Sequence, residues 1–177
     1  MRGMVKAALC VLALGLAPSL GVAQTATTAP AVPATQSMPI YGNTLQAGWN
    51  NWSWATVVLS FVIADPAETP MKVDAGPWQA VYLSHAAFNT HGYSTFTFFV
   101  HGGAHGGQQL QVIALDTEGH AIPNAAAHIV PVANDWTGVN IPLADLNAAD
   151  REISGFWIQN ASGDTAHRFY LNYISLS

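Results

Sequence analysis

Three groups of side chains in this chain are equipped for chemistry: seven histidines, ten carboxylates, and aromatic residues interleaved with glutamines. The histidines are His85, His91, His101, His105, His120, His128 and His167. His101-Gly-Gly-Ala-His105 holds two imidazoles in one short stretch, and with His85 or His91 the pair could complete a Zn²⁺ or Cu²⁺ site. That spacing presents both rings to one metal on a helix, but Gly102, Gly103, Gly106 and Gly107 oppose a helix there. Hydrogen bonding within a loop is the plainer use of these histidines. The carboxylates serve hydrolysis of a glycosidic bond only as a facing pair about 5–9.5 Å apart. Here they fall at strand ends and in turn-like contexts such as Asp65-Pro66, Asn134-Asp135 and Gly163-Asp164. No Gly-x-Ser-x-Gly elbow occurs, and the Gly-rich run lacks the Gly-Lys-Ser/Thr of a phosphate loop. The chain reads as non-catalytic.

The third group is found by alternation, because successive side chains of a strand point to opposite faces. In Thr95–His101, Phe96, Phe98 and Val100 oppose Phe99 and His101. In Gln109–Leu115, Leu110, Val112 and Ala114 oppose Gln109 and Gln111. In Phe156–Asn160, Phe156 and Ile158 oppose Trp157 and Gln159. In Trp78–Leu83, Val81 and Leu83 oppose Trp78 and Tyr82. Each strand thus has a plain hydrophobic face for a core and a second face of amphipathic aromatics, amides and imidazole. If these strands share one sheet, the second faces form one surface: Trp78, Tyr82, Phe99, His101, Gln109, Gln111, Trp157 and Gln159. Trp52 and Trp54 join it from a neighbouring strand. Such a surface suits a sugar ring. The aromatic π face meets the axial C–H bonds, and Gln offers a donor and an acceptor to hydroxyl pairs.

The elements that must position these residues are strands. From Ile40 to Ser177, short β-rich runs alternate with Gly, Asn, Asp and Pro punctuation. They predict strands over Trp54–Ile63, Trp78–Leu83, Ser94–His101, Gln108–Asp116, Ala127–Val132, Thr137–Ile141, Gly155–Asn160 and Arg168–Leu176, shorter ones at Tyr41–Leu45 and Met71–Ala75, and a turn at Leu143–Ala148. The fold class is all-β, an antiparallel β-sandwich of the jelly-roll kind in a single domain over 40–177. Ahead of it, Met1–Lys6 is basic, Ala7–Leu16 is apolar, and small residues run up to Ala23, the pattern of a signal peptide over 1–23. A Thr/Ala/Pro-rich linker follows over 24–39. The expected location is secreted or periplasmic in a bacterium, with no membrane insertion after cleavage.

Composition bears on partners. Half of the 177 residues are hydrophobic and only 8% are charged, against about 25% in an ordinary domain. Beyond residue 23, Lys72, Arg151 and Arg168 face ten acids, a formal charge of −7, and no cysteine remains. This excludes the basic stripe that nucleic acid requires and any disulfide or Cys-ligated metal. The partner that fits is a neutral glycan. A second reading is an envelope or matrix structural or adhesion protein that uses the same aromatics against a protein. A third is a small His-dependent metal enzyme or polysaccharide lyase.

The stretches that carry these residues also resemble a family. Tyr41-Gly42-Asn43, Gly48-Trp-Asn-Asn-Trp-Ser-Trp54, Gly76-Pro-Trp-Gln-Ala-Val-Tyr-Leu83, His101-Gly-Gly103 with Gly106-Gly-Gln108, Trp136–Leu146, Gly155–Gln159 and Phe169–Leu176 resemble bacterial carbohydrate-binding-module-like domains of the galactose-binding-like jelly-roll type. The resemblance covers roughly residues 40–177. It implies a jelly roll that recognises polysaccharide, usually beside a catalytic domain, and hence a separate glycan-active enzyme as partner. It also implies a structural Ca²⁺ near the first and last strands. Asn172-Tyr173 stands where such domains carry adjacent aspartates. That leaves Asn43, Asn172 and backbone carbonyls as the candidate ligands for an ion that favours carboxylates.

Overall fold

The computed structural model describes residues 36–63 and 68–177. The expected signal peptide, residues 24–35 and the Asp65-Pro66 turn lie outside them. The strands are β1 (Met38–Tyr41), β2 (Asn50–Asn51), β3 (Thr56–Val58), β4 (Met71–Asp74), β5 (Ala80–Asn89), β6 (Thr95–His101), β7 (Leu110–Leu115), β8 (Ala121–Ile129), β9 (Trp136–Pro142), β10 (Glu152–Asn160) and β11 (Phe169–Leu176). They form two antiparallel sheets of a sandwich. One runs β3-β4-β11-β6-β9, with β1 also on β11. The other runs β2-β5-β10-β7-β8. Leu143–Leu146 forms a 3-10 turn that buries Leu143 and Leu146. No helix among the described residues is long and apolar enough to cross a membrane.

Alternation reads the core correctly. Val81, Leu83, Leu110, Val112, Ala114, Phe156 and Ile158 line the inner face of the β5-β10-β7 sheet. Phe96, Phe98, Val100, Met71, Val73 and Leu171 line the inner face of the other, and all of these are buried. Across the core, Phe96 of β6 stacks on Phe156 of β10, ring centroids 4.1 Å apart and planes 16° off parallel.

Two register shifts explain where the period of two breaks. In β11 the shift falls between Asn172 and Ser175. Phe169 and Leu171 are buried before it, Ile174 and Leu176 after it, and Tyr173 stands out at φ 49°. One extra residue moves the buried set to the other parity. In β10 the shift falls between Ile153 and Gly155. Gly155 has φ 151°, and a Cβ there would lie 2.1 Å from the Leu83 carbonyl oxygen, so only glycine lets the two backbones meet.

Several element boundaries differ from expectation: β5 runs on to Asn89 beyond the expected Leu83, and β10 begins at Glu152 ahead of the expected Gly155. The Trp54–Ile63 run shrinks to β3, because Ala55 turns inward while Trp52 and Trp54 run along the edge of β5. The strand expected at Ala127–Val132 begins earlier, at Ala121, as the second arm of a hairpin with β7. Met38 and Pro39, placed in the linker by composition, belong to β1 and pair with Leu176 and Ser175.

Candidate functional site

The outer face of the β2-β5-β10-β7-β8 sheet carries the aromatic and amide residues. The ladder puts Trp157 between Tyr82 on β5 and Ile113 on β7. It puts Gln159 between Ala80 and Gln111, and Gln111 opposite His128. Along the β5 edge, the Trp52 amide donates to the Tyr82 carbonyl at 2.9 Å and the Trp54 amide to the Ala80 carbonyl at 3.2 Å. These bonds extend the edge pairing beyond β2 and fix both indoles over the sheet.

Four rings then meet edge to face in one row. Trp52 packs on Tyr82 at 5.7 Å and 88°, Tyr82 on Trp157 at 6.0 Å and 79°, and Trp157 on Trp54 at 5.0 Å and 86°. The positive ring edge against the negative ring face accounts for this geometry. Trp52 and Trp54 remain 62% and 41% exposed. Trp157 is half-buried, and its indole nitrogen has no acceptor among the described residues.

Beside the rings runs an amide relay. Gln111 Nε2 donates to Gln159 Oε1 at 2.6 Å, and Gln159 Nε2 donates to the Trp78 carbonyl at 2.8 Å. Trp54 Nε1 donates to the same carbonyl at 3.0 Å. Trp78 itself sits before β5 at φ 59°, a left-handed conformation, with its ring 54% exposed. A cleft of about 220 Å³ opens at the Trp52–Tyr82 end, lined among others by Ser84, His85, Glu118 and Gly119. Its far wall is the β7–β8 turn, where Asp116 Oδ1 accepts the amides of Glu118 and His120, each at 2.9 Å. These bonds, led by that from His120, hold the Asp116 carboxyl below the usual carboxylate range. Gly119 at φ 84° closes the turn and leaves room for the Tyr82 hydroxyl, 2.9 Å from where a Cβ would stand.

The structure brings Trp52, Trp54, Trp78, Tyr82, Gln111, Trp157 and Gln159 to this side of the molecule. Gln109 lies at its margin, its Nε2 bonded to the Gly107 carbonyl at 3.1 Å. His101 and Phe99 do not belong to it. They point outward from β6, which pairs with β11 and β9 in the opposite sheet, so the single surface expected from alternation is divided between two faces of the sandwich. His101 there packs between Trp136 at 5.3 Å and Tyr170 at 5.8 Å. Alternation gives a side chain's face but not its strand's neighbours. Ile113, which alternation puts on the face of Gln109 and Gln111, borders the site as an aliphatic neighbour of Trp157, and Glu118 borders it from a turn that nothing in its own sequence marks as part of a site.

The other constellations also separate. His105 stacks on His167 at 4.2 Å, His91 pairs with Asp150 at 2.9 Å, and His85 packs on Trp49 at 5.0 Å. Among the described residues no three His, Cys, Asp or Glu side chains are grouped to hold a metal. The Ca²⁺ candidates do not fit the ion. Asn43 Oδ1 accepts the Thr69 amide at 2.9 Å and Asn172 Nδ2 at 3.1 Å. Asn172 Oδ1 accepts the amides of Asn43 at 3.3 Å and Tyr173 at 2.9 Å. Both oxygens face N–H groups, which would repel a cation, and the two amides instead clamp the first strand's exit to the last strand.

No family model matches the chain. A curated endoglucanase of Dictyostelium discoideum is 25% identical over 146 residues, which are 78% of this chain and 21% of the relative, so the chain spans about a fifth of its length. Among solved structures, a family 29 carbohydrate-binding module superposes with TM-score 0.59 at 15% identity, over 80% of this chain and 91% of the module. A family 29 module from Piromyces equi gives 0.53 at 15%, over 80% and 89%. The family 11 module of a cellulosomal cellulase of Clostridium thermocellum gives 0.60 at 14%, over 81% and 95%. The chain has the fold of carbohydrate-binding modules.

Proposed function

We propose that this protein is an exported, non-catalytic carbohydrate-binding protein that holds a neutral polysaccharide or oligosaccharide on the outer face of the β2-β5-β10-β7-β8 sheet. The observation that carries the reading is the row Trp52–Tyr82–Trp157–Trp54 laid beside the Gln111–Gln159 relay. Exposed rings stack on the C–H face of a pyranose, and each could contribute about 1.5–3 kcal/mol before ordering costs. Amides pair with its hydroxyls. No Lys or Arg stands on the paired positions of this face, so it offers nothing to a sulfated or uronic glycan. Modules of the same fold support the reading, one of them solved in complex with mannohexaose.

Affinity electrophoresis against β-glucans, xylan, mannan and galactan tests it. The wild type should be retarded by at least one polymer, and Trp52→Ala and Tyr82→Ala should each remove most of the retardation. Free migration on every polymer, or full retardation of both variants, would overturn the proposal.

A further inference from the structure

The opposite face of the sandwich has its own aromatic array, which the glycan reading leaves unused. A row Phe61–Tyr170–His101–Trp136 crosses the sheet through ring contacts of 6.0, 5.8 and 5.3 Å. Next to it Phe99 and Tyr173 meet edge to face at 6.2 Å and are 45% and 46% exposed. Between these rings lies a cavity of about 230 Å³ lined by Phe99, Trp136, Tyr173, Asn172 and Glu68. Two features of the backbone shape it. Gly138 stands opposite Phe99 on β9 and leaves the space over that ring open. The register shift in β11 turns Tyr173 outward in a left-handed conformation that a non-glycine residue adopts only at a cost. Strain of this kind, on a bulge that re-aims a side chain, is concentrated at functional positions.

The chemistry of the lining selects the occupant. Three of the five described lining residues are aromatic. Asn172 already spends its amide on Asn43 and Tyr173, so it has little left for a ligand hydroxyl. A sugar would find few fixed donors there, the Trp136 indole N–H and the Tyr173 hydroxyl. The charged group in the described lining is the Glu68 carboxylate, which is exposed and makes no ion pair among the described residues. Among the described residues none that lines the cavity is basic. Aromatic faces with one carboxylate attract a weakly hydrated organic cation through the ring quadrupole and the charge. The same sheet already holds one such contact, Lys72 Nζ lying 4.9 Å from the centre of the Phe61 ring.

We propose that this cavity binds a compact quaternary ammonium group, of the kind carried by free choline. Zwitterions that place an anion beside the cation bind less well, because Glu68 repels them.

The test is titration of the full chain with tetramethylammonium chloride and with choline chloride at constant ionic strength, followed by ¹H–¹⁵N NMR of the tryptophan indoles. The neutral isostere 3,3-dimethylbutan-1-ol is the control. Saturable shifts at the Trp136 indole are expected, with the isostere about tenfold weaker or worse. Phe99→Ala should abolish the shifts. Glu68→Gln alters only an exposed charge and keeps the experiment decisive where Phe99→Ala fails to fold; it should weaken binding about three- to tenfold. Absence of saturation, equal affinity for the isostere, shifts confined to the Trp52 and Trp54 indoles, or unchanged binding in Glu68→Gln would each overturn the proposal.

Discussion

Trp54 and Gln159 share one acceptor: the indole N–H of the first and the side-chain amide of the second both end on the Trp78 carbonyl, at 3.0 and 2.8 Å. An exposed ring on the sheet edge and an amide in its middle are thereby set by the same atom. Gln159→Leu removes the relay's centre and strands Gln111, whose Nε2 donates to it. On the proposed glycan face this should weaken affinity about three- to tenfold, the equivalent of one ordinary hydrogen bond. Isothermal titration with the best-bound polysaccharide checks it; an unchanged affinity would show that the relay does not order the face.

Trp78 offers a way to separate binding from folding. Its left-handed backbone costs a non-glycine residue about 1–2 kcal/mol, while its ring is mostly exposed and adds little burial. Trp78→Gly should therefore leave the urea midpoint unchanged or raise it slightly, and should reduce glycan retardation. A large loss of stability would mean that the ring packs in solution more tightly than it does here.

The Asn43–Asn172 clamp predicts indifference to chelators. Addition of EDTA should leave the melting temperature unmoved. Asn172→Ala, which removes a buried side chain whose Oδ1 accepts the amides of Asn43 and Tyr173, should cost about 1–3 kcal/mol in chemical denaturation. A downward shift in melting with EDTA, reversed by Ca²⁺, would overturn the assignment of these residues as a clamp.

Acidification should act first on the β7–β8 turn. Asp116 is held below the usual carboxylate range by the amides of His120 and Glu118, so its charged form favours the folded turn. That contribution is present above the ordinary Asp value and fades as pH falls through the lowered one. Amide protection at Glu118 and His120, taken relative to the intrinsic exchange rate at each pH, should fall over that acidic interval, ahead of amides in β10, and Asp116→Ala should show low protection there at every pH.

How far the sequence revealed the molecule follows from what period-two patterning encodes. Alternation alone points Val81, Leu83, Val112, Phe156 and Phe98 inward, and all are buried. It points Tyr82, Trp157, Gln111 and Gln159 outward, and they come together because β5, β10 and β7 are ladder neighbours. His101 obeys the same pattern and lies on the far sheet, since a strand's own residues do not specify its partners. Nor do they reveal that Trp52 and Trp54 would ride a strand edge without strand geometry of their own. The array around Tyr173 was hidden for a different reason. A bulge breaks the alternation at the residue that matters most, although the change of phase between Leu171 and Ile174 is its trace.

Phe96 and Phe156 reach from different sheets to lie flat on one another in the middle of the molecule. Sliding one sheet over the other would part these rings within a close-packed interior that barely compresses. The sandwich therefore carries load as one block. On the proposed glycan face, a polymer tugging on the indoles would be resisted in shear by the whole body, and the grip should give way at the ring contacts before the domain yields.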